Sequence, residues 1–452
     1  MELAIVAVFV LGYAFIALEH SVRIDKAASA LLTGTLCWAL FVLGSDGPPA
    51  HLAAEFAHAG EGGLKVFFEH RLLHHVQEIA SILFFLLGAM TIVELIDAHH
   101  GFAAITNRIR TTNTVKLLWI ITFFTFFLSS VLDNLTTAIV MVSLLRKLIA
   151  DKETRWFFAG MVVLAANAGG AWSPIGDVTT TMLWIGGQVS TEGIISALFL
   201  PSLVVILVPL AVLTFRLKGE VQRPEVEAES QQGSIHGWES NVALALGVGG
   251  LLFVPVFKTV THLPPFMGMM LALGVMWVVT ERMHRNKDTS AGQGVSVLAV
   301  LRKIDTPSIL FFLGILLAVA ALQEVGHLLA AATWLRDTFG NVYAINTAIG
   351  FLSAIVDNVP LVAASKAMYP IATNAMAAGS AWDALFVQDG DFWELQALCA
   401  GTGGSILIIG SAAGVAVMGL EKIDFVWYLR RVSLLAALGY LGGIACYWLM
   451  FA

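Results

Sequence analysis

Long apolar stretches recur along the chain from Leu3 to Phe451, and they constrain the fold more than any other feature. Each is roughly 17 to 25 residues long, the length that spans about 30 Å of hydrocarbon as an α-helix. Of the 452 residues, 58% are hydrophobic and 13% are charged, which is more apolar surface than a soluble protein of this length buries. The alternating pattern of membrane β-strands is absent. The sequence therefore predicts an all-α polytopic membrane protein in contact with lipid.

Three blocks of sequence occur twice, in the same order and at similar spacing. The letters SILFFL stand at 81–86 and again at 308–313. SSVLDN at 129–134 returns as SAIVDN at 353–358, and NAGGAWSPIGD at 167–177 returns as GTGGSILIIGS at 401–411. Collinear matches of this kind predict an internal duplication, a common origin of membrane transporters.

The duplication divides the chain into two units joined by a charged segment. We expect a first repeat over 1–216, a cytoplasmic linker over 217–240 and a second repeat over 241–452. In each repeat, plain helices are followed by a segment broken at Asp-Asn and by a helix broken at a glycine-rich stretch. We expect re-entrant helical hairpins at about 116–152 and 345–375, and discontinuous transmembrane helices at about 156–190 and 394–420.

The lysines and arginines indicate how these segments lie in the membrane, because basic residues concentrate on the cytoplasmic side. If each hairpin enters and leaves on one face, most of the 25 basic residues fall on one side. The exceptions are Lys65, Arg71, Lys258, Arg336 and Lys366. An odd number of crossings in each repeat then gives the two repeats inverted topology, with both termini outside and about ten crossings in all.

Acidic residues stand at the predicted breaks. Burying an ionisable group in a membrane costs at least ~2.5 kcal/mol on insertion scales, so we expect each such residue to have a partner or a function. Asp133 and Asp357 lie at the predicted hairpin tips, each followed by Asn, and Asp177 follows the glycine-rich break of the first repeat. Broken backbone also frees carbonyl oxygens to point inward. These acids are the leading candidates for an ion site.

A small hard cation such as Na⁺ prefers several oxygen ligands, and the breaks offer carboxylates, amides, hydroxyls and carbonyls. Because Ser411 replaces Asp177 in the second repeat, the first repeat is richer in acid, and we expect Na⁺ at Asp133, Asn134 and Asp177. A buried carboxylate that holds either a proton or Na⁺ supplies the chemistry of exchange. The predicted set is Asp133, Asn134, Asn167, Asp177, Thr179, Thr180, Asp357 and Asn358, supported by Ser130, Thr136, Thr137, Ser353, Thr402, Ser405 and Ser411.

Structural alternatives exist for the same residues. The three acids could serve only as N-caps of helices that begin at Asn134, Val178 and Asn358, since Asp is a preferred cap. Asn134 and Asn167 could only join neighbouring helices. The threonines after Asp177 could bond back to their own helix. A cap can also bind an ion, so capping does not exclude the site.

Histidines and acids near the membrane edge form a second group. Spacing by four places His70, His74 and Glu78 on one helical face, which suits Zn²⁺ binding, pH sensing or a solvated amphipathic helix. Glu324 ends the second SILFFL helix, where interfacial solvation or a proton path would explain it. The sequence contains no HExxH motif, so a metalloprotease is not supported. A net charge of −7 argues against binding of nucleic acid. We expect neither enzymatic chemistry nor a cofactor.

Several segments resemble the NhaD-type sodium/proton antiporters of the ion transporter superfamily, namely SSVLDNLTTAIVMVSLLRKLI, NAGGAWSPIGDVTTTMLW and SAIVDNVPLVAA. The resemblance covers essentially the whole chain. It implies exchange of Na⁺ or Li⁺ for H⁺, best at alkaline pH, by a homodimer in a bacterial inner membrane or a related organelle membrane. It places the ion site of the family on Asp133, Asn134, Asn167, Asp177, Thr179, Thr180 and Asp357.

Two other carriers of the same superfamily are the alternatives. Sodium-coupled dicarboxylate carriers have Ser-Asn-Thr at both hairpin tips, whereas Asp133 and Asp357 precede the Asn here. An anionic tip repels a carboxylate substrate. Arsenite permeases carry a neutral hydroxide, which tolerates Asp, so that alternative stays open.

Overall fold

The computed structural model describes residues 2–17, 19–58, 63–102, 109, 111–224, 237–284 and 296–451. These residues form a helical bundle, with an isolated β-bridge between Asn113 and Glu220 and no β-strand among them. The helices, in chain order, are α1 (Glu2–Ala17), α2 (Glu19–Val22), α3 (Lys26–Gly44), α4 (Ala53–His58), α5 (Gly63–Ala98), α6 (Thr114–Ser129), α7 (Asn134–Leu148), α8 (Lys152–Ala171), α9 (Val178–Ile185), α10 (Thr191–Arg216), α11 (Gly237–Thr261), α12 (Pro265–His284), α13 (Val297–Leu301), α14 (Thr306–Val325), α15 (His327–Phe339), α16 (Val342–Ser353), α17 (Asn358–Met368), α18 (Asn374–Gly379), α19 (Asp391–Gly403), α20 (Ala412–Glu421), α21 (Phe425–Arg431) and α22 (Ser433–Phe451). Short 3₁₀ turns span Ala50–Leu52 and Asp383–Phe386.

Many of these helices have the length and composition of membrane spans. Within the described ranges, 7 helices are long and apolar enough to cross a bilayer, namely α3, α5, α10, α11, α12, α14 and α22. Shorter apolar helices are α6, α16, α20 and the Leu3–Ile16 part of α1. The chain is therefore an all-helical, multi-pass membrane protein, as its sequence predicts. The expected total of about ten crossings stays a prediction.

Two helices, α8 and α19, lie at the centre of the bundle. Every residue of α8 from Phe158 to Ala171 is buried, and so is every residue of α19 from Phe392 to Gly403. A helix that is buried on all sides is surrounded by protein rather than by lipid. The two pack against each other. The chain breaks that follow them consequently lie in the interior.

Interruptions of the helices lie within the segments that the sequence assigns to hairpins and broken helices. The helical structure stops at 130–133 between α6 and α7, and at 354–357 between α16 and α17. It also stops at 172–177 between α8 and α9, and at 404–411 between α19 and α20. Non-helical backbone at such depth is tolerated only where protein or a cavity surrounds it.

The two ends of the α6–α7 pair lie beside each other. The N–H of Val221 donates to Thr112 O and that of Ala150 donates to Gln222 O, both at 2.8 Å. One short segment of the linker thus contacts the chain just before α6 and just after α7. A re-entrant hairpin requires this proximity, although its insertion into a membrane stays a prediction. Residues 225–236 of the predicted linker lie outside the described ranges.

Contacts between the halves of the chain come in corresponding pairs. Helix α3 packs on α14 and α12 on α5, while α7 packs on α20 and α17 on α9. The hydroxyl of Ser129 donates to Ala166 O at 2.6 Å, and that of Ser353 donates to Ala400 O at 2.7 Å. These bonds occupy matching positions of the repeated motifs. Such pairing is what a duplicated chain would produce, while the opposite orientation of the repeats stays a prediction.

Glycines allow the broken helices to approach their neighbours. A Cβ added to Gly169 would overlap the carbonyl oxygen of Phe126, and one added to Gly403 would overlap that of Gly350. Both obstacles are backbone atoms, which cannot swing aside as a side chain does. The repeated glycine-rich stretch therefore sets the closeness of α8 to α6 and of α19 to α16.

We expect Gly403→Ala to lower the free energy of unfolding by about 1–3 kcal/mol, because the new methyl group must displace backbone. Gly274→Ala in α12 is the matched control, since its Cβ would meet nothing within 4 Å. Alanine in that helix should be neutral or slightly stabilising. Thermal unfolding of the detergent-purified proteins measures both. Equal melting temperatures for the two variants would contradict the packing argument.

Candidate functional site

A network of buried hydrogen bonds lies where three of the breaks meet, with Asn167 of α8 at its centre. The Nδ2 of Asn134 donates to Asn167 Oδ1 at 2.9 Å and to Asp177 Oδ2 at 2.8 Å. The Nδ2 of Asn167 donates to the hydroxyls of Ser405 and Ser411, each at 2.9 Å. All of these side chains are buried. The network therefore joins the first half of the chain to the second.

Asp177 caps α9 with one oxygen and faces the network with the other. Its Oδ1 accepts from the N–H of Thr179 at 2.9 Å and from the hydroxyl of the same residue at 2.8 Å. Its Oδ2 accepts from Asn134. A Cβ added to Gly401 would lie 3.7 Å from that Oδ2, so the backbone of α19 runs close to the carboxylate. Capping and ligand binding thus use different oxygens of one residue.

Asp133 acts as the N-cap of α7. Its Oδ1 accepts from the N–H of Thr136 at 2.8 Å, and its Oδ2 accepts from the hydroxyl of Thr136. The described hydrogen bonds do not join Asp133 to Asn134 or Asp177. Asp133 therefore lies outside the network of Asn134, Asn167 and Asp177, and its hydrogen bonds are those of a cap.

Asp357 differs from the other two acids, because its side chain makes no capping hydrogen bond with α17. Its Oδ2 lies 3.8 Å from the ammonium group of Lys26, and 16% of its side chain is exposed. It lines a cavity of about 460 Å³ that also reaches Ser411 and Tyr13. We call this the Asp357 cavity. Capping does not explain this acid.

The remaining residues of the predicted set stabilise the breaks locally. Hydroxyls of Ser130, Thr180, Ser353 and Thr402 donate to backbone carbonyls of Phe127, Ala171, Ala400 and Leu398. The hydroxyl of Thr137 is buried and has no partner among the described residues, and Asn358 is buried at the start of α17. The structure thus brings together Asn134, Asn167, Asp177, Thr179, Ser405 and Ser411, and it leaves the other members of the set outside that network.

Two lysines hold the far end of α9. The ammonium group of Lys258 donates to Trp184 O at 2.7 Å and lies 4.3 Å from the centre of the Trp184 ring. That of Lys366 donates weakly to Met182 O at 3.5 Å. Positive charge at a helix C-terminus offsets the negative end of the helix dipole. Both lysines are exceptions to the positive-inside pattern. In the sequence, that exception was the available sign that each ammonium group contacts a protein group, here a carbonyl of α9.

Two arginines hold the C-terminal end of α20. The Nε atoms of Arg146 and Arg155 donate to the carboxylate of Glu421 at 2.6 and 2.7 Å. The side chain of Glu421, the last residue of α20, is 1% exposed. The C-terminal end of each half-helix is therefore held by basic residues, and Lys366 and Arg146 come from the opposite half of the chain. Sequence reasoning did not find this arrangement.

The cavity beside α9 is lined by the same lysines. It measures about 590 Å³ and also reaches His74, Glu78 and Gly186. We call it the lysine cavity. It lies at the opposite end of α9 from Asp177, whereas the Asp357 cavity touches the network itself through Ser411.

The histidine-rich segment forms an ion-pair network through His75, which the four-residue spacing of His70, His74 and Glu78 did not select. His75 Nε2 and Arg71 each lie 2.7 Å from a carboxylate oxygen of Glu324, which is 1% exposed. Interfacial solvation therefore does not explain Glu324. His74 and Glu78 lie 3.7 Å apart at an exposed position. The described ranges hold no group of three or more His, Cys, Asp or Glu side chains placed to bind a metal, so Zn²⁺ at His70, His74 and Glu78 is unsupported.

Comparison with known proteins gives consistent matches over the whole chain. The sequence profile of the citrate transporter family matches residues 3–387. Sodium/proton antiporter 1 of Arabidopsis thaliana is 48% identical over 99% of this chain and 72% of its own length, and sodium/proton antiporter 2 is 44% identical over 97% of both. The Na⁺/H⁺ antiporter NhaD of Alkalimonas amylolytica is 30% identical over 98% of this chain and 90% of its own length.

Removing the carboxylate between the two arginines tests the anchoring of α20. We expect Glu421→Ala to lower the free energy of unfolding by about 3 kcal/mol, since the loss of one partner leaves partly buried guanidinium groups unpaired. Glu153→Ala, at an exposed position in the first turn of α8, should cost less than about 1 kcal/mol. Thermal unfolding in detergent compares them, and equal destabilisation would rule out a structural role for the pair.

Proposed function

This chain belongs to the citrate transporter family and, within it, to the NhaD-type sodium/proton antiporters, and we propose that it exchanges Na⁺ or Li⁺ for H⁺. It is a membrane transporter and not an enzyme. The observation that supports the exchange most directly is the environment of Asp177. This carboxylate is 1% exposed and has no basic partner among the described residues, and two further acids, Asp133 and Asp357, stand at other breaks of the bundle.

Such an arrangement favours the binding of positive charge, either as a proton or as a metal cation. The ligands offered around Asp177 Oδ2 are amide and hydroxyl oxygens, which suit small hard cations. Asn134 donates its N–H group to Oδ2, and rotation of that amide would present its oxygen to Na⁺. Proton and cation then compete for one carboxylate. Their alternation at Asp177 is the exchange reaction.

Access to the site would alternate between the two cavities. The Asp357 cavity contains Lys26, which the positive-inside pattern assigns to the cytoplasm, whereas the lysine cavity contains the exceptions Lys258 and Lys366. The cavities would therefore open to opposite sides. Paired contacts between the halves support two repeats, the positive-inside pattern supports their inverted topology, and the adjacent ends of α6–α7 support a re-entrant hairpin. Rocking of one repeat against the other would expose Asp177 to each side in turn.

We also propose a homodimer in a bacterial inner membrane or a related organelle membrane, working without a cofactor. The resemblance to NhaD-type antiporters supports the dimer. Named relatives occur in plants and in bacteria, so both kinds of membrane are compatible with the comparisons. The multi-pass helical fold requires a lipid partner in either case.

Transport of citrate is the alternative that the family description raises. A citrate anion at the network would meet the negative charges of Asp133, Asp177 and Asp357. The ammonium groups of Lys258 and Lys366 are engaged by carbonyls of α9. The charge distribution therefore favours a cation as the transported ion, and transport of arsenite has no feature of the described residues in its favour.

Inside-out vesicles that contain the protein should lose a respiration-generated pH gradient when Na⁺ or Li⁺ is added. The gradient collapses because each imported cation releases protons from the same carboxylate site. Acridine fluorescence records the gradient, with K⁺, citrate and arsenite as parallel additions. A response to citrate or arsenite alone would overturn the proposed exchange.

Asp177→Asn should abolish this exchange while leaving the fold intact, because Asn caps a helix as well as Asp does but carries no charge. Asp305→Asn is the matched control, since Asp305 caps α14 at an exposed position. The vesicle assay and thermal unfolding are applied to both. Normal exchange by Asp177→Asn would show that Asp177 serves only as the N-cap of α9.

A further inference from the structure

Glu394 of α19 is a buried carboxylate without a positive partner. It is 6% exposed, and its described hydrogen bond comes from the hydroxyl of Tyr447 at 2.8 Å. The buried acids Glu324 and Glu421, by contrast, each face two basic side chains. No lysine, arginine or histidine of the described ranges forms an ion pair with Glu394. The cost of burying Glu394 is therefore not offset by positive charge, as it is for Glu324 and Glu421.

The groups around Glu394 make a negative charge there less favourable. Asp391 lies three residues before Glu394 in α19, and side chains at this spacing are neighbours on a helix surface, so a like charge stands beside Glu394. On the neighbouring helices, Tyr343 of α16 and Tyr447 of α22 are the titratable groups that face this acidic cluster. Lys366 of α17, which packs on α19, donates weakly to Met182 O of α9. The other elements packed on α19 are α8, α9, α10 and the 3₁₀ turn Asp383–Phe386, which adds the acid Asp383, and none of their described residues forms an ion pair with Glu394.

The balance of energies favours a bound proton. Glu394 lies in the first turn of α19, where the helix dipole favours a negative charge weakly. The cost of burying an unpaired carboxylate exceeds that gain. A neutral, protonated Glu394 avoids this cost and still accepts the bond from Tyr447. The residue can therefore store a proton and release it when the surroundings change.

Its helix leads to the ion site. Gly401, whose added Cβ would lie 3.7 Å from Asp177 Oδ2, is on the same helix as Glu394. At a rise of 1.5 Å per residue, the two positions are about 10 Å apart along α19. Asn346 of α16 donates to Phe392 O of α19, and its Oδ1 is buried without a hydrogen-bond partner among the described residues, as are both amide atoms of Gln396 in α19. Polar atoms of this kind are where internal water binds in proteins.

We propose that Glu394 is a second proton-binding residue of the transporter, which exchanges protons with Asp177 along α19. This inference rests on the proposed Na⁺/H⁺ exchange. When Na⁺ leaves Asp177, the O–H bond of Glu394 breaks, the proton passes through water, and an O–H bond forms on Asp177. Glu394 then takes a proton from the solution on its own side. Cations would use the two cavities, so protons and cations would follow different routes.

The test uses the full-length protein in proteoliposomes and compares two transport modes. Na⁺/H⁺ exchange needs proton transfer, whereas exchange of labelled Na⁺ for unlabelled Na⁺ at constant pH does not. Glu394→Gln should lower the maximal rate of Na⁺/H⁺ exchange at least about tenfold, the loss expected for a missing acid–base group. Its KM for Na⁺ and its Na⁺/Na⁺ exchange should stay unchanged. Glu394→Asp, which keeps a carboxyl group, should recover part of the rate.

Each outcome decides the proposal. Wild-type rate and pH dependence in Glu394→Gln would overturn it, and so would an equal loss of both transport modes, which marks a structural role. If Glu394→Gln fails to fold, Tyr447→Phe replaces it, because loss of the hydroxyl should slow Na⁺/H⁺ exchange selectively and to a smaller extent. Absence of Na⁺/H⁺ exchange in the wild-type protein would instead refute the proposed function itself.

Discussion

The amide of Asn167 is the interaction on which the interior of this protein depends. Its oxygen accepts from Asn134, and its nitrogen donates to Ser405 and Ser411. A membrane offers no water to broken backbone, so helix breaks persist only where protein groups surround them. Asn167 bonds directly to two of the breaks, and Asn134 links it to Asp177 at a third, so this network holds three breaks in the middle of the bundle. It also places Asp177, the acid of the site, against the opposite half of the chain.

Charge is distributed so that each half of the chain controls a broken helix of the other. The N-termini of α9 and α20 carry Asp177 and Ser411, which meet at the network. Their C-termini are held by Lys366 and Arg146 from the opposite halves. In the proposed exchange, a movement of one half against the other would shift the half-helices and alter the environment of Asp177. This coupling would be the physical basis of alternating access.

A family described by citrate transport and relatives named as cation antiporters are compatible with one fold. Folds carry many functions, and the site decides which one operates. In this chain the breaks carry Asp133, Asp177 and Asp357, whose carboxylates favour a cation over a carboxylate as the ion of the proposed exchange. The fold supplies broken helices and cavities, and in our proposal the charge of a few side chains at the breaks selects the ion.

Much of the backbone follows from local sequence. Apolar length indicated the spanning helices, and helices do begin at Asn134, Val178 and Asn358, each after an aspartate. The local pattern could not separate the three acids, yet in the structure Asp133 and Asp177 cap their helices whereas Asp357 does not. Capping depends on the nearby N–H groups, but the final position of a carboxylate depends also on what packs against it.

Local sequence is enough to indicate an all-helical membrane protein with breaks at Asp-Asn and glycine-rich motifs, because these features act over a few residues. Three features emerge only when the helices pack: Asn167 meets Ser405 and Ser411, Lys258 reaches α9, and Glu394 is buried without a cation. These contacts join residues far apart in the chain. They depend on how helices pack together, and neither periodicity nor local propensity records that packing.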